Sequence, residues 1–177
     1  PAGAAKTTNA KRRAGAEGKG MGIEITVLGT PGPQGSKRLV RGRMIEASAK
    51  VKPWREDVRA AVTRAMDLRV CSDATSFIAT QRMGVEGYPF PMAGPLRVCL
   101  VFTLRKPDSA PKRTRTWPAK KPDIDKLVRS TFDAITSAGL WKDDAQVVEL
   151  VTVKTFPNEH PQALPVPGCR ITVEAIA

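Results

Sequence analysis

Residues 121–150 read KPDIDKLVRSTFDAITSAGLWKDDAQVVEL, and they constrain the fold more than any other stretch because helix, stop and strand signals follow without a gap. Ile124, Leu127, Val128, Thr131, Phe132 and Ile135 recur at three- and four-residue intervals, which predicts a helix from Pro122 to about Ala138 with one buried stripe. Gly139 supplies the stop, because glycine enters the left-handed conformation that ends a helix without steric cost. Gln146 to Lys154 then alternates, with Val148, Leu150 and Val153 among its apolar positions, and predicts a strand. The same stretch holds six of the chain's seventeen acids: Asp123, Asp125, Asp133, Asp143, Asp144 and Glu149. Asp123 and Asp125 flank one apolar residue at the helix start, and Asp143 and Asp144 fall in the turn before the strand.

The rest of the chain supplies the other layers. Ile23, Ile25 and Val27 alternate with polar residues as a first strand, and GTPGPQGSK breaks it. Leu39–Arg43 and Met44–Ala47 suggest a short hairpin. Lys52 to Leu68 is a second amphipathic helix, burying Trp54, Val58, Ala61, Val62, Ala65 and Met66, with Pro53 suited to its first turn. Its Arg55, Arg59 and Arg64 form either a solvated face or a contact for a phosphate backbone. Residues 71–95 have weak periodicity and read as loop. Leu96 to Leu104, LRVCLVFTL, is apolar enough for a central strand, and Arg170–Ile176 is a closing one. The assembly expected is α+β: a mixed sheet of about four or five strands packed with two main helices.

Length and composition set the limits. At 177 residues and 41% hydrophobic, the chain builds one core, so one domain is expected from 21 to 177. Residues 1–20 contain only small, polar and charged side chains and are expected to be a disordered basic tail. The net charge of +12 favours a polyanionic partner, nucleic acid before a membrane surface. No apolar run approaches the ~20 residues that cross a bilayer, and the expected location is the cytoplasm. Cys71, Cys99 and Cys169 lack metal or redox spacing and read as small buried hydrophobes. With His160 the sole histidine, and that in the proline-rich segment PNEHPQALPVPG, a multi-histidine metal site is excluded and a catalytic triad is not expected, leaving chemistry to carboxylates, lysines and arginines. GTPGPQGSK does not have the spacing of a nucleotide-binding P-loop.

Between the central strand and Asp123 lies RKPDSAPKRTRTWPAKK, with seven basic residues, one acid and several prolines. It is either a solvated loop or a clamp on phosphates, and Trp117 either packs or stacks on a base. Helix capping alone accounts for one of Asp123 and Asp125. Two close carboxylates beside a second acidic pair point instead to a shared cation. Mg²⁺ takes oxygen ligands and leaves positions for water and a phosphate oxygen, and so can activate water against a phosphodiester.

The 121–150 stretch resembles the RusA family of Holliday junction resolvases. That family carries an Asp-x-Asp-Asn helix start, a Phe-Asp-Ala-Leu-like helix and a Gly-hydrophobic-Trp-x-Asp-Asp-x-Gln-Val strand start; the GTPGPQGSKRLV turn, the Trp54 helix and LRVCLVFTL resemble it more loosely. The resemblance implies a homodimeric, Mg²⁺-dependent endonuclease, with Mn²⁺ an acceptable substitute. Its substrate would be a four-way DNA junction in a bacterial or phage-infected cell, nicked on opposed strands to leave 5′-phosphate and 3′-hydroxyl ends. It assigns Asp123, Asp125 and Asp144 to the metal, with Asp143 assisting. The family's lysine, four residues past the second aspartate, is Arg129 here, which keeps the charge at the scissile phosphate but not an acid role. The family's asparagine after that aspartate is Lys126. Lys112, Arg113, Arg115, Lys120, Lys121 and Lys126 are the expected DNA contacts. A 17-residue helix is roughly 25 Å long, so Asp144 is expected to complete the metal site of a partner subunit. The alternatives are a catalytically silent DNA-binding protein and a nuclease for other branched DNA.

Overall fold

The computed structural model describes residues 22–35, 37–40, 43–46, 49–72 and 90–176. The predicted tail at 1–20 and most of the predicted 71–95 loop lie outside these residues. Four strands form one mixed sheet in the order β1 (Gly22–Leu28), β6 (Gly168–Ala175), β4 (Leu96–Thr103) and β5 (Val147–Thr155). β6 is antiparallel to both β1 and β4, whereas β5 is parallel to β4. The predicted hairpin exists as β2 (Lys37–Val40) and β3 (Arg43–Glu46), which among the described residues pair only with each other. Arg43 pairs with Val40 across it, so the second strand begins one residue earlier than the apolar pattern suggests.

Two helices pack against each other: α1 (Val51–Ser72) also touches β1, and α2 (Ile124–Ala138) touches β5. The α1 stripe is as predicted, with Trp54, Val58, Val62 and Met66 buried and Ala61 and Ala65 packed beside them. Leu127, Thr131, Phe132 and Ile135 of α2 are buried too. The clamp between the helices is polar. The Trp54 indole N–H donates to the Thr131 hydroxyl at 3.1 Å, and that hydroxyl donates to the Leu127 carbonyl at 2.9 Å. Arg55 forms an ion pair with Asp133 of α2. Of the three arginines read as a possible DNA face, Arg55 is thus engaged within the fold, while Arg59 and Arg64 are exposed.

β4 is central, as LRVCLVFTL predicts. Leu96, Val98, Leu100 and Phe102 enter the main core. On its other side Val101 and Thr103 are also buried, and the Thr103 hydroxyl accepts from the Leu164 N–H at 2.9 Å in the proline-rich segment. Cys169 is buried and Cys99 half-buried, and burial pushes both thiols up, which makes them unreactive fillers as expected. The side chain of Cys71 lies outside the described set. No described helix is long and apolar enough to cross a membrane.

The unit β4–α2–β5 determines the position of the acids. Because β4 and β5 are parallel, the crossover helix starts at their C-terminal ends and returns the chain to the start of β5. The C-terminal ends of parallel strands are where α/β sheets characteristically bind ligands.

Candidate functional site

Helix α2 starts two residues later than the apolar pattern suggests, with Asp123 as its N-cap. The Asp123 backbone is extended and its side chain makes no capping hydrogen bond, so capping does not explain this carboxylate. It faces the Lys126 ammonium instead, at 2.8 Å. The hydrogen bond and charge of Lys126 hold the Asp123 carboxyl below the usual carboxylate range, with smaller contributions from Lys121 and Lys154. Asp123 in turn raises Lys126. Asp125, in the first turn of α2, is exposed and makes no ion pair among the described residues. Arg129 is exposed one turn further along, and the i, i+4 spacing puts it on the face of Asp125.

The backbone before Asp123 is held from β5. The Lys154 ammonium donates to the carbonyls of Pro122 at 2.8 Å and Lys120 at 3.2 Å. Sequence reading passed over Lys154, although a signal existed: it is a charge on an otherwise uncharged strand face, in phase with Leu150 and Thr152. On the other side, the 29–35 turn is docked to α2. The Gln34 N–H donates to the Lys126 carbonyl at 2.9 Å, and the buried Ser130 hydroxyl is 2.6 Å from the Gly32 carbonyl. Gly32 is required there, since a Cβ would lie 2.2 Å from the Lys50 carbonyl oxygen.

The basic loop at 105–121 is ordered by a residue the sequence did not single out. Glu159 binds the Lys106 ammonium and accepts the Thr116 N–H at 3.0 Å. Those two hydrogen bonds, with the Lys106 and Arg115 charges, hold its carboxyl below the usual range. Glu159 is 43 residues from Thr116 along the chain, and nothing local links them. Lys112, Arg113, Arg115, Lys120 and Lys121 are all exposed, and the Arg115 guanidinium lies 4.2 Å above the Trp117 ring. Between this loop, the 29–35 turn and Phe156 is a cleft of about 790 Å³, with Asp123 and Lys126 on its wall.

The second acidic pair lies elsewhere. Asp143 caps a 3-10 turn, Asp144–Gln146, by accepting the Ala145 N–H at 2.8 Å. Gln146 completes the capping box and donates to the carbonyls of Met92 and Gly94. Asp144 is exposed, with no partner among the described residues. Lys154 is beside Pro122, whereas Asp144 precedes β5. The seven strand steps from Val147 to Lys154, at ~3.3 Å each, separate the two clusters by roughly 23 Å. The structure thus brings Asp123, Asp125 and Lys126 together, with the basic loop beside them, and sets Asp144 apart. Among the described residues no group of three metal-ligating acids, histidines or cysteines forms within one chain.

In donor chemistry, Asp123 and Asp125 suit a hard divalent cation, which needs oxygen ligands and keeps water in its remaining positions. Asp123 already attracts a cation, the Lys126 ammonium.

Residues 71–164, more than half of the chain, match the family described as Endodeoxyribonuclease RusA. Relatives named crossover junction endodeoxyribonuclease RusA, from Enterobacteria phage 82 and from Escherichia coli strain K12, are each 51% identical over 35 residues. That alignment covers 20% of this chain and 29% of each relative.

Proposed function

The chain belongs to the RusA endodeoxyribonuclease family, and from that premise we propose that it is a Mg²⁺-dependent endonuclease that resolves four-way DNA junctions in the cytoplasm of a bacterial or phage-infected cell. The observation that carries this reading is the position of Asp123 and Asp125: N-cap and first turn of α2, C-terminal ends of β4 and β5, beside a cleft walled by a basic loop. Asp123, Asp125 and a third carboxylate from Asp144 would hold the ion. When bound it would polarise the phosphodiester, lower the pKa of an attacking water and offset charge on the leaving oxygen.

The chain's own residues do the rest. Lys120 and Lys121, beside Asp123, attract the phosphates of the strand to be cut. Lys154 fixes the backbone from which Asp123 projects. Arg129 contributes fixed positive charge near Asp125, and because guanidinium does not deprotonate near neutral pH it acts electrostatically and not as a proton donor.

A two-fold dimer accounts for Asp144. Among the described residues β5 is an edge strand, and Val148, Leu150 and Val151 on it are 65%, 41% and 49% exposed. Leu150 pairs opposite Val98, which is in the core, so an apolar residue phased with the interior is left uncovered. A second copy approaching antiparallel to this edge would cover it. The same symmetry would lay each Asp144 end of β5 beside the Lys154 and Asp123 end of its partner, giving two composite sites for two opposed nicks.

The test is cleavage of a synthetic four-way junction beside linear duplex, with and without Mg²⁺. Paired nicks that need the metal are expected. D125N should lose more than a hundredfold in rate, beyond the 10–100-fold typical of a supporting residue. D125N turnover equal to wild type would remove the proposal.

A further inference from the structure

The cleft beside Asp123 is more apolar than a phosphate channel requires. Pro31, Pro33, Leu104, Trp117, Pro118 and Phe156 contribute to its walls, while Lys50, Arg105, Lys120, Lys121 and Lys126 bring charge. Its volume of about 790 Å³ is within the ~300–1,000 Å³ of sites that enclose small organic ligands. Trp117 is 57% exposed, with Arg115 stacked on its ring, in contrast to Trp54 and Trp141, which are buried. An exposed tryptophan carrying an arginine beside an apolar hollow is the arrangement on which unpaired bases stack.

The walls also hold polar atoms that lack partners. The Gln34 side-chain oxygen and the Thr116 hydroxyl are buried without a hydrogen bond among the described residues, and both residues line this cleft. Most buried polar side-chain atoms in folded proteins are satisfied, and these two lie just beneath the cleft wall, where a turn of either side chain toward the cavity would let it hydrogen-bond a ligand there. A lipid chain does not supply hydrogen-bonding edges, and a bare phosphate does not use the apolar walls. A nucleobase with its backbone phosphate uses both.

We infer that the cleft receives one unstacked DNA base, lodged against Trp117, from a nucleotide next to the phosphate presented to Asp123 and Asp125. The inference rests on the DNA-cleaving reading above and adds a contact to it. Asp123 and Lys126 are wall residues of the same cleft, so the base and the reacting phosphate belong to neighbouring nucleotides. A junction suits such a slot because bases at a crossover unstack at less cost than those within continuous duplex. Gln34, whose carboxamide offers both a donor and an acceptor, is the wall residue able to discriminate among bases.

The experiment uses the full chain in EDTA, so that no strand is cut, and four-way junctions carrying 5-iododeoxyuridine at successive positions around the crossover. Irradiation should crosslink one position to Trp117, located by mass spectrometry. W117A should weaken binding of the unmodified junction about tenfold, and W117F should retain most of the affinity. With that nucleotide made abasic, W117A should have no further effect. Equal weakening of intact and abasic junctions by W117A, or crosslinks only outside the cleft, would overturn the inference while leaving Mg²⁺-dependent cleavage by the wild type intact. Crosslinking at Trp117 by a chain that cuts nothing in Mg²⁺ would keep the base slot and remove the nuclease.

Discussion

Lys126 occupies the position where the family pattern has asparagine, and its ammonium is 2.8 Å from Asp123. A lysine there competes directly with any cation that needs the same carboxylate, so this chain should require more metal than one with a neutral residue. K126N removes both the hydrogen bond and the charge that depress the Asp123 carboxyl. The sign follows: a depressed pKa keeps Asp123 ionised to lower pH, and its removal lets the pKa rise toward the usual range. NMR titration of the Asp123 carboxyl should record that rise, and the Mg²⁺ concentration for half-maximal cleavage should fall several-fold. An unchanged metal requirement would show that Lys126 and the ion do not share Asp123.

At the scale of elements, the site depends on α1 and the 29–35 turn being fixed to α2 and on the basic loop being held by Glu159. Trp54 and Thr131 join α1 to α2 through a buried hydrogen bond. T131V preserves shape but leaves the indole N–H unsatisfied, and should cost about 1–3 kcal/mol of stability in urea denaturation. The basic loop depends on Glu159. Because the Glu159 carboxyl is depressed in the folded protein, its support for the loop is complete above the ordinary carboxylate pKa and is lost as pH falls through the lowered value. E159Q should imitate that loss at neutral pH. Trypsin cutting at Lys112, Arg113 and Arg115 should then accelerate several-fold, with little change in the global unfolding midpoint. A cutting rate equal to wild type would mean that the loop is held by other contacts.

For the whole molecule, the composite site proposed above would make dimerisation a catalytic requirement and not only a structural one, because Asp144 is far from Asp123 within one chain. D123N and D144N chains should each be inactive, and mixed they should regain part of the wild-type rate, since a heterodimer then holds one complete composite site. Absence of recovery in a mixture shown to exchange subunits would count against a shared site. L150E, a charge on the exposed apolar edge of β5, should yield monomers in sedimentation and abolish cutting while preserving the fold. The +12 charge should make junction binding fall steeply with salt, linearly on a double-logarithmic plot.

Local pattern by itself determined much of this protein. The 3.6-residue stripe and Gly139 specified α2, alternation and apolar runs specified the strands, and the placement of acids at helix start and strand start marked both halves of the candidate site, because each of those signals lies within a few residues of its effect. Only the tertiary structure decided that the Asp123 carboxylate pairs with Lys126 instead of capping the helix, and that Arg55 is engaged by Asp133. It also decided that Glu159, Lys154 and Ser130 hold the segments around Asp123, and that Val148 and Leu150 are uncovered on an edge. These outcomes depend on which residues meet across tens of positions in sequence, and a strand's alternation does not say which face or edge its neighbours will cover. The parallel pairing of β4 and β5 has the largest consequence: the length of the 122–138 helix already set Asp144 far from Asp123, but only the pairing of strands distant in sequence fixes the two acidic clusters at opposite ends of one strand.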